Sequence, residues 1–276
     1  MNLKIEMLNL GDVILDSSLV VLYHAPGNPV RVPTWGYLIL GSDGDPILVD
    51  TGYRDPAQLE IMGMKGVVRE GAGLENQLAR HGVKPSDIRF IVHTHLHMDH
   101  AGKDDTFPMS TTVVVNRREL EVAAGHGTLA YHPRDTKHII DRVYTPGASQ
   151  LLDLAYSGPV EIVPGVVCDI AGGHTEGSMN VLVDTAEGTA CICGDVIYSI
   201  EQQIVAPTFQ LQYRETKTTG SFDVSLAQER GAVKKALRSG AWLLPMHDRP
   251  ARLDHSGRVI GRLEGTAIPG PVMSTG

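Results

Sequence analysis

A cluster of histidines after a short apolar run constrains this chain more than any other feature. Residues 88–92 (Ile-Arg-Phe-Ile-Val) are rich in β-branched and aromatic side chains and follow a turn-like Pro-Ser-Asp, so we predict a short buried strand. Four of the chain's 12 histidines occupy the next eight positions, namely His93, His95, His97 and His100. In layered α/β folds, ligands and catalytic groups collect on the loops that follow the carboxyl ends of strands. The pattern therefore predicts a functional site on this loop.

The residue types in this cluster indicate metal binding. Neutral imidazole and carboxylate groups are the usual protein ligands of zinc and similar divalent ions. His95 and His97 lie two positions apart, so an irregular or extended backbone can turn both rings to one side. Asp99 and His100 then point elsewhere, which favours two adjacent ions over one ion that collects all four groups. A solvated histidine-rich loop is the alternative, and the position of the cluster after a buried strand argues against it.

Residues 95–100 (His-Leu-His-Met-Asp-His) match the HxHxDH motif and, through it, the chain resembles the metallo-β-lactamase superfamily. Three further candidate ligands follow in the order found in that superfamily, each just after an apolar, strand-like run: His174, Asp195 and His247. The resemblance extends from the strand around Tyr37 to His247 and so covers almost the whole chain. It implies an α/β protein with the αββα four-layer sandwich of that superfamily.

The same resemblance implies a site for two divalent metal ions. In the superfamily pattern, three imidazoles hold the first ion, one carboxylate and two imidazoles hold the second, and another carboxylate bridges them. The residues of this chain that match are His95, His97 and His174 for the first ion and Asp99, His100 and His247 for the second. Asp195 matches the bridging carboxylate. Zinc is the expected metal, although iron, manganese and cobalt suit the same ligands. Because zinc brings the pKa of a bound water to about 7, the resemblance implies hydrolysis by metal-bound hydroxide.

Tyr198, three positions after Asp195, makes the chain similar to the N-acyl-homoserine lactonase branch of the superfamily. In that branch the tyrosine points its hydroxyl at the substrate carbonyl oxygen, and a phenol with a pKa of about 10 is a good neutral donor to a developing oxyanion. By this resemblance Tyr198 and Asp99 are the catalytic residues, and Asp99 relays a proton to the leaving ring oxygen. A half-buried tyrosine at a strand end is the alternative for Tyr198.

The favoured function is the opening of an N-acyl-homoserine lactone ring, the reaction of quorum quenching. The expected partner is a small-molecule lactone or ester, and the resemblance also implies a homodimer. One alternative is a related hydrolase that acts on another lactone or carboxylic ester in a catabolic pathway. Another is a redox iron enzyme similar to the sulfur dioxygenases. Residues 173–178 (Gly-His-Thr-Glu-Gly-Ser) depart from the GHxxGH pattern of many lactonases. This departure bears on the identity of the substrate and does not affect the metal ligands.

Two further signals lie upstream of the histidine cluster. Residues 50–52 (Asp-Thr-Gly) resemble a superfamily motif in which the aspartate supports a metal-bound histidine, although a turn-capping role for Asp50 is equally compatible with the sequence. Met62 and Met64 belong to an apolar patch within residues 53–71, for which we otherwise predict loop. The patch is either a satellite of the core or a wall for a lipophilic substrate, since methionine adapts to varied apolar shapes.

The length of 276 residues fits one domain that spans residues 1–276, with a loop-rich insertion at about 125–158. That segment contains several glycines and prolines and three irregularly spaced histidines. We expect His126, His132 and His138 to be surface or supporting residues and not metal ligands.

Charge and apolar content exclude several classes of partner. The net charge of -8 carries no long run of one sign, so neither nucleic acid nor an anionic membrane is an expected partner. No apolar run approaches the roughly 20 residues that span a bilayer, and the first residues lack the apolar core of a signal peptide. The three cysteines (Cys168, Cys191 and Cys193) lie in predicted strands as core residues, which fits a reduced, cytoplasmic protein.

The remaining pattern predicts the elements around the site. At the N-terminus we predict a strand pair at 4–8 and 17–22 with a turn at 9–12. Further strand pairs are predicted at 35–40 with 46–50, at 159–163 with 166–170 and at 179–184 with 189–193, and single strands at 112–115 and 241–244. Helices are predicted at 74–81, at 117–124 with Asn116 as the cap, and at 225–238.

Overall fold

The computed structural model describes residues 3–41, 44–125, 128–205 and 216–263, and within these ranges the strands form two seven-stranded sheets. The strands of the first sheet are β1 (Lys4–Asp16), β2 (Pro29–Leu40), β3 (Ile47–Val49), β4 (Lys65–Val67), β5 (Phe90–Val92), β6 (Thr112–Asn116) and β7 (Ser149–Leu152). Their spatial order is β4-β1-β2-β3-β5-β6-β7. Strand β1 pairs antiparallel with both β4 and β2, and β2 pairs antiparallel with β3. The β3–β5, β5–β6 and β6–β7 pairings are parallel.

The second sheet follows from the second half of the chain. Its strands are β8 (Val160–Val163), β9 (Val166–Ile170), β10 (Met179–Thr185), β11 (Gly188–Gly194), β12 (Trp242–Pro245), β13 (Ala251–Leu253) and β14 (Val259–Arg262). Their spatial order is β14-β13-β12-β11-β10-β9-β8. The β11–β12 pairing is parallel, and the other pairings in this sheet are antiparallel.

Helices connect and cover the sheets. The α-helices are α1 (Ser17–Val20), α2 (Leu74–Arg80), α3 (Arg117–Ala124), α4 (Pro133–Val143), α5 (Leu154–Ser157) and α6 (Leu226–Ala236). Short 3₁₀ helices span Pro56–Met62, Pro85–Asp87 and Asp104–Thr106, and a π-helical turn spans Glu201–Val205. Among the described residues, none of these helices combines the length and apolarity that a bilayer crossing requires.

Alternating side chains along the strands create the layers. In β2 and β11, Tyr37 and Ile192 point into an apolar core between the two sheets. Their neighbours point outward: Leu38 packs with residues of α2 and α4, and Cys191 and Cys193 pack with residues of α6. Two sheets packed face to face, with helices on both outer faces, form the predicted αββα sandwich, so the predicted fold class is confirmed. All three cysteines are free and buried, as predicted, and burial raises the pKa of Cys191 to about 12.

The N-terminal strand pair is not formed as predicted. Strand β1 continues through the predicted turn and pairs along its length with β2, with a bulge between Asn9 and Gly11. Gly11 is required for packing and not for a turn, because the Tyr53 hydroxyl would lie 2.0 Å from a Cβ at this position. The strand predicted at 17–22 is also wrong, since the Asp16 side chain accepts a hydrogen bond from the Ser18 N–H at 2.9 Å and caps α1.

Two segments predicted as loop, 53–71 and 125–158, contain regular structure. In the first, Asp55 and Gln58 form a capping box that starts the Pro56–Met62 helix, and β4 follows. In the second, the region 125–158 is not loop-rich, because α4, β7 and α5 occupy most of its described part. Helix α4 was not recognised because one buried position is Arg142, whose guanidinium donates to four backbone carbonyls. The status of this region as an insertion stays a prediction.

The other predicted elements are confirmed with shifts of at most two residues at their ends, except that β2 begins at Pro29, six residues before the predicted strand at 35–40. Helix α6 starts at a capping box between Ser225 and Gln228. Helix α3 has the predicted bounds, but Asn116 does not cap it through its side chain. The Asn116 amide instead donates to the Gly177 carbonyl at 2.9 Å, which joins α3 to a loop of the second sheet.

Candidate metal centre

The three imidazoles of His95, His97 and His174 form the first group of candidate ligands. Each offers a ring nitrogen within 4.8 Å of the nitrogens of the other two. His97 Nδ1 and His174 Nε2 lie 3.0 Å apart, and both rings meet the His95 ring edge-on, with centroid distances of 4.5 and 4.7 Å. Two loops supply these rings, one after β5 and one after β9. We call these three residues the triple-histidine group.

A second group contains two carboxylates and two imidazoles: Asp99, His100, Asp195 and His247. His247 Nε2 lies 3.4 Å from Asp99 Oδ2 and 3.3 Å from Asp195 Oδ2. His100 Nε2 lies 3.2 Å from Asp195 Oδ1. We call these four residues the mixed group.

Asp195 lies between the two groups. Its Oδ2 is 3.9 Å from His95 Nε2 and 3.7 Å from His174 Nε2, while both carboxylate oxygens also contact imidazoles of the mixed group. One carboxylate can therefore reach cations in both groups, as a bridging ligand does. The fold thus brings together all seven residues that the sequence nominates as metal ligands.

The unsatisfied atoms of the site fit two divalent cations. Buried Nε2 atoms of His95, His100 and His247, and Oδ1 of Asp195, have no hydrogen-bond partner of normal geometry among the described residues. Leaving a buried polar atom without a partner costs about 1–3 kcal/mol. Nitrogen and carboxylate oxygen donors in this number suit zinc and related ions. The donor set therefore fits a pair of metal ions.

The electrostatics of the site also favour cations. Burial and the surrounding imidazoles hold the pKa of His95 well below its usual range. Burial and neighbouring imidazoles likewise outweigh the Asp195 carboxylate and lower the pKa of His174 to about 3, so its ring is neutral and can act as a ligand. Burial opposes protonation of His247, but Asp195 and Asp99 outweigh it and raise the pKa of His247 to about 10. The carboxylates of the mixed group thus attract positive charge.

Asp50 fixes the orientation of a ligand ring from behind. It follows β3 with a left-handed φ of 59°, and its carboxylate accepts hydrogen bonds from the N–H and hydroxyl of Thr94 at 2.9 and 2.6 Å. His100 Nδ1 lies 2.8 Å from Asp50 Oδ2, which turns the His100 Nε2 toward the site. This contact is the one expected if Asp50 supports a metal-bound histidine, and that role stays a prediction.

His247 and Tyr198 are held against each other beside Asp195. His247 Nδ1 lies 2.7 Å from the Pro33 carbonyl oxygen, so this nitrogen donates and Nε2 faces the site. The Tyr198 ring stacks on the His247 ring at a centroid distance of 4.6 Å, and its hydroxyl donates to Asp195 Oδ2 at 2.5 Å. Burial and the Asp195 carboxylate raise the pKa of Tyr198 well above its usual value, so the phenol stays protonated.

A pocket of about 360 Å³ opens directly onto both groups. Its polar end includes His97, Asp99, His174 and Tyr198. The remaining wall is mostly apolar, with side chains that include Leu15, Leu19, Met62, Met64, Leu129 and Phe222. Met62 and Met64 therefore lie at the pocket, where the substrate-wall prediction requires them to be. Met62 and Met64 also pack against a core cluster, so the two explanations of this patch are compatible.

Several pocket residues were not identified from the sequence. Leu15 and Leu19 come from the N-terminal segment, which we predicted as a plain strand pair. Phe222 and Asp223 precede the cap of α6, and Asp223 Oδ2 lies 3.7 Å from His97 Nε2. Neither periodicity nor a motif marks these positions, because the fold brings together segments that are remote in sequence.

The remaining histidines near the cluster do not join either group. His93 is buried behind the site, with Nε2 2.8 Å from Asp104 Oδ2. His132 and His138 are supporting or surface residues as predicted: a His132 nitrogen lies 3.7 Å from Asp135, and Arg142 donates to His138 at 3.0 Å. His126 lies outside the described residues.

Comparisons with known proteins agree with this geometry. Residues 29–244 match the family model described as the metallo-beta-lactamase superfamily. The chain is 32% identical over 211 residues to an N-acyl homoserine lactonase of Bacillus cereus, covering 72% of this chain and 77% of the relative. A crystal structure of a Bacillus thuringiensis AiiA variant with N-decanoyl-L-homoserine at its active site has a TM-score of 0.65 and 26% identity, covering 85% of this chain and 88% of that one. An N-acyl homoserine lactone hydrolase with N-hexanoyl-L-homoserine bound at its catalytic metal centre also has a TM-score of 0.65, with 25% identity and the same coverage.

Proposed function

The chain belongs to the metallo-beta-lactamase superfamily and is a metal-dependent hydrolase, and on that premise we propose that it opens the ring of N-acyl-homoserine lactones. One observation carries this proposal. A mostly apolar pocket ends at the triple-histidine group, the mixed group and the Tyr198 hydroxyl. A substrate with an apolar acyl chain and a reactive ester carbonyl fits a pocket that has an apolar wall and a polar end.

We propose that two divalent ions, zinc in the first instance, occupy the two groups. His95, His97 and His174 would hold one ion, Asp99, His100 and His247 the other, and Asp195 both. Bound there, such ions lower the pKa of water to about 7 and neutralise charge on ester oxygens.

Tyr198 and Asp99 are the residues that we propose to act on the substrate. The Tyr198 hydroxyl donates to Asp195 and would turn this proton to the substrate carbonyl oxygen as that oxygen becomes negative. Burial would raise the pKa of Asp99, but the neighbouring His100 and His247 lower it to about 2, so its carboxylate is ionised. Asp99 would take a proton from the attacking water and return it to the ring oxygen as the carbon–oxygen bond breaks.

The pocket offers a way to distinguish an acylamino lactone from a simple lactone. Asp223 lies in the pocket wall and presents carboxylate oxygens, which accept hydrogen bonds. We propose that the Asp223 carboxylate accepts a hydrogen bond from the amide N–H of an N-acyl-homoserine lactone. The acyl chain would then lie along Leu19, Met62 and Met64. Asp223→Ala, which removes the acceptor oxygens, should then raise KM for acyl-homoserine lactones and leave the KM for γ-decanolactone, which has no N–H, unchanged. Loss of bound metal in Asp223→Ala would instead assign this carboxylate to the support of His97.

Acid release from a panel of lactones, followed with a pH indicator, tests the function. The panel contains short- and long-chain acyl-homoserine lactones, simple γ- and δ-lactones and an aryl ester, each with metal-loaded protein. We expect the acyl-homoserine lactones to be hydrolysed fastest. Hydrolysis of simple lactones or the aryl ester alone would replace the proposal with a catabolic esterase or lactonase. No hydrolysis with two metals bound, together with oxygen uptake, would indicate the redox alternative.

The cellular setting follows from the same proposal. We propose a quorum-quenching role in the cytoplasm, and the three free, buried thiols are compatible with a reducing compartment. Cell fractionation that finds the protein outside the cytoplasm would contradict this setting. We also propose a homodimer, and light scattering that gives a monomer mass at micromolar concentration would exclude it.

A further inference from the structure

Glu119 is a fully buried carboxylate that belongs to neither candidate metal group. It lies in the first turn of α3. Its Oε1 accepts hydrogen bonds from the Leu96 backbone N–H and the Tyr131 hydroxyl, both at 2.9 Å. Its Oε2 accepts a hydrogen bond from the Thr175 hydroxyl at 2.6 Å. Both oxygens are therefore committed to neighbours, and neither reaches the pocket.

Each of these contacts ends beside a member of the triple-histidine group. Leu96 separates His95 from His97 in the chain, and Thr175 directly follows His174. The Tyr131 ring meets the His97 ring edge-on at a centroid distance of 4.7 Å. The two loops that Glu119 joins follow strands of different sheets, so one carboxylate sets the position of one loop relative to the other.

The helix that carries Glu119 is also packed tightly against the loop of His174. A Cβ added at Gly177 would lie 2.1 Å from the Glu119 backbone nitrogen, and Asn116 donates to the Gly177 carbonyl. The carboxylate therefore stands on a backbone that has little freedom to move relative to this loop.

We propose that Glu119 is a positioning residue that keeps the three imidazoles of the triple-histidine group in register for one metal ion. The inference rests on the metal assignment under the proposed function. Hydrogen bonds to an ionised acceptor are stronger than neutral ones, and removing a supporting partner of a metal ligand typically costs 10–100-fold in metal affinity.

The mixed group has separate supports. The Asp50 carboxylate holds His100, and the Pro33 carbonyl holds His247. Loss of Glu119 should therefore weaken binding of the ion in the triple-histidine group and leave binding of the ion in the mixed group unchanged. A purely structural role for this buried carboxylate would lower the stability of the chain and affect both ions alike.

Variants in which only one of the two metal groups is intact distinguish a positioning role of Glu119 from a purely structural role. Full-length protein is stripped of metal and titrated with Zn²⁺ against a chromophoric chelator. His247→Ala disables the mixed group, and in that background Glu119→Ala should weaken Zn²⁺ binding roughly 10–100-fold. His97→Ala disables the triple-histidine group, and in that background Glu119→Ala should change the affinity less than twofold. Equal losses in both backgrounds, or none in either, would overturn the proposal.

Conservative variants supply a readout that a structural role would not give. Glu119→Gln keeps a carbonyl oxygen for the Leu96 N–H and should restore most of the affinity. Thr175→Val removes one supporting hydroxyl and should weaken the same ion by a few-fold, and it replaces Glu119→Ala if that variant does not fold. Asp12→Asn is the matched control, since Asp12 is a buried carboxylate whose ion-pair partners, Arg31 and Arg69, belong to neither loop. It should lower the thermal midpoint and leave both Zn²⁺ affinities unchanged.

The wild-type titration separates this inference from the proposed function. If the wild type binds no Zn²⁺, the metal assignment fails. If the wild type binds two ions and Glu119→Ala binds both with unchanged affinity, the metal assignment stands and the role of Glu119 is refuted.

Discussion

At the scale of single residues, the site separates the groups that we propose to hold metal from the Tyr198 hydroxyl, which we propose to donate to the substrate. Nε2 of His95, His100 and His247 and Oδ1 of Asp195 have no hydrogen-bond partner of normal geometry among the described residues, whereas the Tyr198 hydroxyl donates to Asp195 Oδ2 a proton that it can give away. Its ring is fixed by stacking on His247, so removing the hydroxyl alone should leave the geometry of the site intact.

Tyr198→Phe should therefore keep both metal ions and slow turnover. Loss of an oxyanion donor costs about 10²–10³ in kcat when that donor acts without help. A metal ion shares this charge in the proposed mechanism, so we expect a fall of roughly 10–100-fold in kcat with little change in KM. Steady-state kinetics on one acyl-homoserine lactone and metal analysis by mass spectrometry check both parts. An unchanged kcat would remove Tyr198 from the mechanism.

Substitution of a ligand should have the opposite signature. His97→Ala should lose the ion of the triple-histidine group, Asp195→Ala should weaken the binding of both ions, and turnover should be lost in each variant, because each substitution removes a ligand atom that no neighbour replaces. His255→Ala is the control, since this histidine lies on an exposed turn outside both groups. Full activity in either ligand variant would show that the site is assigned wrongly.

How far the site follows from sequence depends on how local its parts are. His95, His97, Asp99 and His100 lie within six positions, so their chemistry is visible in the sequence itself. The supporting role of Glu119 was missed because it joins loops 23 and 56 residues away. Such a residue looks like any other acidic residue in the first turn of a helix.

At the scale of elements, the strands and helices with a clear apolar period were predicted and the exceptions have specific causes. Gly11 suggested a turn, but it serves the close approach of Tyr53 within a continuous strand. Helix α4 was hidden because its buried face includes Asp135 and Arg142, which are polar in sequence but paired in the fold. In both cases tertiary contacts decided the outcome, and a local pattern does not report them.

The contact between α3 and the loop of His174 gives a prediction at this scale. Gly177→Ala should push α3 away from the loop, since the added Cβ would lie 2.1–2.5 Å from three atoms of Glu119. Overpacking costs about 1–3 kcal/mol, so we expect a lower thermal midpoint and a lower Zn²⁺ affinity at the triple-histidine group. Thermal unfolding and Zn²⁺ titration of the same variant check the two effects.

Gly231→Ala is the matched control. Gly231 lies on an exposed position of α6, and among the described residues nothing lies within 4 Å of a Cβ there. Alanine is about 1 kcal/mol more favourable than glycine in a helix interior, so this variant should be slightly more stable with normal metal binding. A Gly177→Ala variant that behaves like Gly231→Ala would contradict the packing argument.

At the scale of the whole molecule, the candidate metal site lies where the two halves of the sandwich meet. The first half supplies the ligands that follow β5, and the second half supplies His174, Asp195 and His247. Each proposed ion therefore takes ligands from both halves. Because an unfolded chain does not hold these residues together, the ions should bind the folded state selectively.

Removal of the metals should lower the stability of the whole chain. A ligand that binds only the folded state at 100 times its dissociation constant adds about 2.7 kcal/mol, and a chain of 150–250 residues changes its thermal midpoint by about 2–4 °C per kcal/mol. We therefore expect treatment with a chelator to lower the midpoint by roughly 5–10 °C for each ion removed. Added Zn²⁺ should restore the midpoint of the wild type but not that of Asp195→Ala, which lacks the carboxylate between the two groups. Equal midpoints for metal-free and metal-loaded wild type would mean that the ions do not link the two halves.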